Sequence, residues 1–556
     1  GMTINLNANR GLTSILFPNS SLGSINTFDA SGCNITGRLD INTPIYYNSS
    51  RINLMGNPNL TDVSMVGPSN VNTYEFNAKD CSLTKDGIDR ILSFFSNSTN
   101  ALSMMMYLDG GTSAEPSGGY NNVFLKNIIS RKGSNFRYFI NYNVEPMLKF
   151  PILYSSGVSM NITSTDGGMF EVDAGNGQGL SRVNGTYNPG YNYNPYMQYF
   201  NIYDGSTLGK DYLKVLSASQ LNVLSLDVSS FNRIETLNLT NSIPVLDTIF
   251  LPNPSSLTSL TLGTRDISVL DLRDYNKLAT LIISGGVKEL IFGESSTALS
   301  FTLSNCSRLT NVDISSLIGV SQINITSCSS LRTIKFPNQF YRTLSNFIVV
   351  DTSVQTIDVS NLTLSQSLQI TYNPNLTNVV CPSTSVNTVQ FFNNNLQGTL
   401  DLTSLSTGST ELQAYNNRSL TSILMPKGSL YGILAYDCSL NGVLDISSNT
   451  PFFSNPSGVN INLTNNTSLT SVLFPAFSNY PRRILLQNCA LDIATMDTLL
   501  KRLSTYFSSN SVTQDLSIYL NGGTNSSPTD GEYNMDLSIL KWKFQTASKV
   551  LDYKIN

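Results

Sequence analysis

Residues 322–337 read QINITSCSSLRTIKFP, and the pattern inside them decides the fold. Apolar residues alternate with polar ones at Ile323 and Ile325, a small thiol follows at Cys328, and a second apolar-polar stretch runs through Leu331 and Ile334 to Pro337. Alternation with period 2 gives a strand with one buried face, so the stretch reads as strand, corner, strand. QITYNPNLTNVVCP at 369–382 repeats the scheme, with Asn373 at the corner. LTSILFP at 12–18 returns as LTSILMP at 420–426 and as LTSVLFP at 469–475. One such turn buries a single layer of leucines and cannot stand alone, so its stability comes from the turns above and below.

Two markers set the period. An Asp between aliphatic residues recurs at Asp227, Asp271, Asp313, Asp358, Asp401 and Asp445, at spacings of 44, 42, 45, 43 and 44 residues. Midway through these units an apolar residue precedes proline, at Leu251-Pro252, Phe336-Pro337, Cys381-Pro382, Met425-Pro426 and Phe474-Pro475. Each unit is therefore two turns of about 22 residues. The turn pattern, aliphatic-x-aliphatic-x-x-(Asn or Cys)-x-x-Leu-Thr-x-aliphatic, resembles the leucine-rich repeat across residues 221–490 and 4–83. Both halves of each turn are rich in Val, Ile and Thr, which favours strands on both faces. In this the chain is similar to the flatter BspA-like repeats of bacterial and phage surface proteins. The expected fold is mainly β.

All seven cysteines fall at repeat positions. Cys306 and Cys328 stand three residues before Leu309 and Leu331, as Asn373 stands before Leu376 and Asn466 before Leu469. Cys33, Cys81, Cys438 and Cys489 stand two residues before Ile35, Leu83, Leu440 and Leu491, as Asn394 does before Leu396, and Cys381 replaces the Phe or Met before proline. A small buried thiol serving a corner backbone is the expected role, ahead of a disulfide or a metal.

After Cys489 the rhythm changes. LDIATMDTLLKRLSTYF at 491–507 has helical spacing, IYLNGGTNSSPTDG follows, and a second helix and the strand KVLDYKIN finish the chain. The same parts stand at 81–143, where Tyr107–Thr112 and Tyr519–Thr524 match at five of six positions and Gly133 is placed to stop the second helix. An amphipathic helix laid over a last turn closes its leucine layer. The expected organisation is a short solenoid at 1–143 with its cap at about 81–143, a separate segment at 144–215, and a long solenoid at 216–556 with its cap at about 490–556. Within 144–215, FEVDAGNGQGL at 170–180 followed by MQYFNIYDGS at 197–206 resembles a PKD-like β-sandwich. That family's turn is followed by a strand on the far sheet, and its second Asp is here Asn176. Residues 4–143 align with 412–556, so the first solenoid reads as the tail of a longer one. Its open leucine layer at 4–17 invites self-association.

Composition bounds the chemistry. Charged residues make up 13%, with 33 Lys plus Arg against 37 Asp plus Glu for a net charge of −4, so no nucleic-acid partner is expected. There is no histidine, which removes the commonest general base and metal ligand. No metal or cofactor is expected, and no apolar run has the length for membrane insertion. The aligned Asp residues form one file at two-turn spacing, roughly 10 Å for a strand spacing of ~4.8 Å. A single file does not flank a glycosidic bond, and an Asx-turn explains each of them. LDGG and LNGG lack the lysine and the strand-to-helix setting of a phosphate loop and read as tight turns. The densest aromatic cluster is GTYNPGYNYNPYMQYFNIY at 185–203, with Tyr187, Tyr191, Tyr193, Tyr196, Tyr199 and Tyr203. Tyrosines among Asn, Gly and Pro suit glycan or protein contacts, and Tyr187, Tyr191, Tyr193, Tyr196 and Tyr199 are the candidate ligand-binding residues. The resemblance and the repeats imply a non-enzymatic binding or adhesion protein, extracellular, at a cell surface or on a virion. A structural, tail-fibre-like role is the close alternative, and a polysaccharide-active enzyme comes third.

Overall fold

A computed structural model gives the architecture. It describes the chain apart from residues 18–22, 46–49, 67–72, 98–103, 119–121, 133–135, 141–147, 152–158, 165–169, 174–179, 184, 188–198, 204–212, 220–224, 241–245, 296, 298, 450–458 and 478–480. The fold is mainly β and makes about 15 turns of β-solenoid. Two units divide it: Gly1–Ser242 with Ile249–Asn253, and Ile243–Thr248 with Pro254–Asn556.

In the first unit, six parallel strands lie in the order Met2–Asn5, Ile25–Asp29, Ser50–Asn53, Thr73–Asn77, Met104–Leu108 and Phe136–Ile140. A second parallel pair, Thr36–Ile41 with Asn59–Met65, supplies the opposite face. Phe28, Leu39, Ile52, Val63 and Phe76 are buried, as the alternation requires. Helix α1 (Lys85–Ser96), whose first turn is capped by the Thr84 hydroxyl, packs on Asn59–Met65 and on α2 (Val123–Lys132). Helix α2 ends at Lys132, and Gly133 lies outside the described residues.

An antiparallel sheet in the same unit orders Leu180–Val183, Phe170–Asp173, Tyr199–Tyr203 and Leu148–Pro151. This corrects the placement of one strand. Tyr199–Tyr203 does not lie on a far sheet; it pairs directly with Phe170–Asp173, because Val172 and Ile202 stand opposite each other and are both buried. Ser159–Ser164 pairs antiparallel with Gly185–Tyr187 and with Leu213–Ser219, which in turn runs parallel to Thr236–Thr240.

In the second unit, parallel strands stack from Ser259–Thr264 to Leu551–Lys554. Leu260, Leu281, Phe301, Ile323, Phe347, Leu368, Val389 and Leu412 are all buried on the inner side of successive strands. On the opposite face the strands among the described residues pair in twos: Val269–Leu272 with Glu289–Phe292, Asn311–Asp313 with Thr333–Lys335, Thr356–Asp358 with Asn378–Val380, Gln397–Asp401 with Ser419–Leu424, and Asn441–Asp445 with Ser468–Leu473. The last four pairs each run into Pro337, Pro382, Pro426 or Pro475, which has no N–H to offer a following strand. The two-turn period of the sequence is thus a pair of hydrogen-bonded strands.

Helix α3 (Ile493–Ser509), capped by Asp492, packs on Ser468–Leu473 and on α4 (Met535–Thr546), capped by Asn534. The two helix-bearing segments repeat each other's polar joints. Asp89 Oδ1 accepts from Ser117 N at 3.0 Å and Asn122 Nδ2 at 2.7 Å, and Asp497 Oδ1 accepts from Thr529 N at 2.8 Å and Asn534 Nδ2 at 3.4 Å.

Candidate functional site

The inner strand of most turns ends at one residue with positive φ, followed by one buried polar or thiol residue. Asp80, Asn305, Ser327, Asp351, Asn393, Asn416, Asp437, Asn465 and Asn488 hold φ between 52° and 65°, mostly Asn and Asp, which tolerate that region. The next residues are Cys81, Cys306, Cys328, Thr352, Asn394, Asn417, Cys438, Asn466 and Cys489. The two cysteine positions read from the sequence are therefore one place in the structure, and only the length of the link to the next leucine differs.

This place links each turn to its neighbours. Asn466 Nδ2 donates to Ala435 O at 2.8 Å and to Leu463 O at 2.7 Å, while its Oδ1 accepts from Leu440 N at 3.0 Å. Asn57, Asn417 and Asn525 make the same three bonds. At Cys438 and Cys489 the thiol serves carbonyls: Cys438 Sγ donates to Ala414 O at 3.3 Å and Cys489 Sγ to Leu463 O at 3.3 Å. All seven thiols are free and buried. Burial pushes Cys438 and Cys381 up to about 12, and Cys81 and Cys489 to about 11, so they are protonated and inert as nucleophiles.

At the opposite corner, each Asp of the repeated series accepts the N–H two residues on. Ser229, Arg273, Ser315, Ser360, Thr403 and Ser447 donate to Asp227, Asp271, Asp313, Asp358, Asp401 and Asp445 at 2.9–3.1 Å. Hydroxyl donation from Thr403 and Ser447 holds Asp401 and Asp445 below the usual carboxylate range, and Arg273 does the same for Asp271. A general acid needs the opposite shift. These carboxylates are used up by turn geometry. The Gly-Gly pairs are tight turns as well: a Cβ on Gly111 would stand 2.2 Å from Cys81 O, and one on Gly523 2.5 Å from Cys489 O.

Among the described residues, a row of amides and aromatic rings lies on the outer side of the long sheet. Gln369, Gln390 and Gln413 stand in one register across three strands. Gln390 Nε2 donates to Gln413 Oε1 at 3.2 Å, and Gln413 Nε2 to Glu411 Oε2 at 2.7 Å. Beside this row, Phe392, Tyr415 and Tyr436 stack face to face at 4.7 and 4.6 Å with planes within 6°, and Tyr372 meets Phe392 edge-on at 5.4 Å. Tyr372 is 51% exposed and has a φ of 59°, an uncommon conformation for a bulky side chain. The stacked rings use their faces on one another, so the strip offers edges and phenol groups. Partial burial and the neighbouring phenols raise the Tyr415 pKa, which keeps its hydroxyl protonated as a donor.

The sequence reading missed this strip. Its signal was an aromatic residue just before the Asn/Asp and Asn/Cys pair, in FFNN at 391–394, AYNN at 414–417 and AYDC at 435–438. Of the loop tyrosines, Tyr191, Tyr193 and Tyr196 lie outside the described residues; Tyr187 and Tyr199 sit on the strands Gly185–Tyr187 and Tyr199–Tyr203, with their side chains undescribed. Among the described residues no group of three His, Cys, Asp or Glu is placed to hold a metal, and no helix is long and apolar enough to cross a membrane. Compared with family models, with curated proteins and with solved structures, the chain has no match.

Proposed function

We propose that this chain is a non-enzymatic recognition protein of a bacterial cell or phage surface, extracellular or virion-borne, that binds glycan or protein through the outer face of its long sheet. The observation that carries the reading is the aligned row of Gln369, Gln390 and Gln413 beside the ring edges of Tyr372, Phe392, Tyr415 and Tyr436. Amide groups repeated at the strand spacing of ~4.8 Å suit an extended ligand, whose own donors and acceptors repeat at a similar interval. Ring edges and phenols would join it by hydrogen bonds, not by stacking on a sugar face. In this reading the chain is two leucine-rich solenoids, each closed by a helical cap, with a PKD-like module between them and the Tyr187–Tyr199 loop as a secondary contact. The turn-to-turn hydrogen bonding equally supports a rigid, tail-fibre-like structural role as the second reading.

Glycan and protein arrays probed with the purified full chain test this. Gln390→Ala with Tyr436→Ala is expected to weaken any retained ligand at least tenfold at unchanged fold. An array with no retained ligand favours the structural reading. Release of reducing ends from a polysaccharide, abolished by one Asp or Glu substitution, would overturn the non-enzymatic assignment.

A further inference from the structure

The two helix-bearing segments share a frame and differ in charge. In the first, Arg90 on α1 donates to Asp62 at 3.1 Å, and that carboxylate also meets Arg38 at 3.7 Å. With Asp89 and Asp497 as equivalent positions, Arg90 corresponds to Thr498, Ser93 to Lys501, Phe94 to Arg502 and Asn97 to Thr505. Asp62 corresponds to Ser471, which bonds the Thr495 hydroxyl at 2.8 Å. The second segment therefore replaces the Arg90–Asp62 pair by Thr498 and Ser471, and carries two neighbouring cations, Lys501 and Arg502, in the places of Ser93 and Phe94. Among the described residues neither Lys501 nor Arg502 is in an ion pair.

Those cations line a cleft of about 550 Å³ along α3, with Phe477, Thr498, Thr505 and Tyr506 among its walls. The volume is that of an ordinary small-ligand site. Phe477 is buried and forms an apolar wall; Tyr506 is fixed edge-on against Phe507 at 5.0 Å, and burial raises its pKa, so its phenol stays a donor. Cations, hydroxyls and an aromatic wall together match a polyhydroxylated ring carrying an anion. The cleft lies on the C-terminal part of α3, where the helix dipole disfavours negative charge. A singly charged carboxylate, gripped by the guanidinium fork, suits that position better than a phosphate dianion.

We infer that this cleft binds an acidic carbohydrate, with Arg502 and Lys501 on the sugar carboxylate and Thr498 and Thr505 on its hydroxyls. The inference rests on the reading of the chain as a recognition protein and names a second ligand class for it. Calorimetry on the purified full chain with trigalacturonate, sialyllactose, glucose 6-phosphate and neutral maltotriose tests it. The comparison variant is Lys501→Ser with Arg502→Phe, which installs the first segment's residues on an exposed helix face; its melting curve should match the parent's. Binding of a carboxylated probe that weakens at least tenfold in the variant and falls steeply with salt is the expected result. Equal binding by the variant overturns the inference, as does a preference for glucose 6-phosphate. Failure of every acidic probe while the outer-sheet ligand is still bound overturns this site alone, whereas failure of all ligands on the arrays overturns the recognition reading with it.

Discussion

The solenoid has two kinds of polar corner: at one an Asn amide or a thiol serves the backbone of neighbouring turns, and at the other, which recurs every second turn, an Asp oxygen accepts a backbone N–H. At the corner of Asn417, Asn466 and the cysteines, the side chains are buried and their hydrogen bonds cross to adjacent turns. At the Asp corner, the carboxylates are exposed and bond two residues along the same turn. The difference teaches where the solenoid keeps its cohesion. A polar group removed from a buried ladder leaves partners that water cannot reach, each costing ~1–3 kcal/mol. The same deletion at an exposed turn exchanges one bond for another with solvent.

The sharpest way to break this contrast is Asn466→Ala. It strands Ala435 O and Leu440 N and leaves Leu463 O with the Cys489 thiol alone, and a loss of about 3 kcal/mol in denaturant unfolding is expected at ~1–3 kcal/mol per stranded group. A loss below ~1 kcal/mol would mean that the ladder is not what joins the turns. Gly523→Ala comes next. Its φ of 61° and the 2.5 Å approach of a Cβ to Cys489 O predict a loss of about 2 kcal/mol, read as a lower melting temperature.

A smaller effect comes from pH. The Cys438 thiol, raised by burial to about 12, stays protonated in the fold after its unfolded counterpart has ionised near 9. The unfolded state then binds fewer protons than the native one, so stability falls as pH rises from 9 towards 12, and below 9 this group has no effect. Cys438→Asn should flatten that fall by about 1 kcal/mol in unfolding titrations between pH 9 and 10, where the unfolded thiol goes from half to mostly ionised. Parallel curves would place the thiol outside the buried ladder. The smallest change is expected for Asp401→Ala, about 1 kcal/mol or less, since the two bonds lost, from the Thr403 N–H and hydroxyl, are exposed and water replaces them. A loss as large as that of Asn466→Ala would erase the distinction between the corners.

The repeat period, the positions of all seven cysteines and the Asx role of the Asp series were legible in the sequence, because each depends on local spacing. What was not legible depends on which residues meet across turns. The merging of the two cysteine positions needs the backbone conformation of residues such as Asn305 and Asp437, which no spacing rule carries. The aromatic strip was hidden for a related reason. Phe392, Tyr415 and Tyr436 are 23 and 21 residues apart, and only the register brings their rings to 4.7 and 4.6 Å. The cations Lys501 and Arg502 likewise stand out only once the fold shows them on the helix face where the first segment carries Ser93 and Phe94.

Pairing in twos on the second face also fixes how such a molecule can grow or shrink. Excising one complete pair, for instance the stretch between equivalent points before Asp358 and before Asp401, rejoins a proline-ended strand to an Asp-ended one and leaves the surviving ladders intact. Excising a single turn sets two Asp-ended or two proline-ended strands side by side, and one face loses its partner. Length variation in this architecture is therefore expected in steps of two turns, as whole duplicated or deleted pairs.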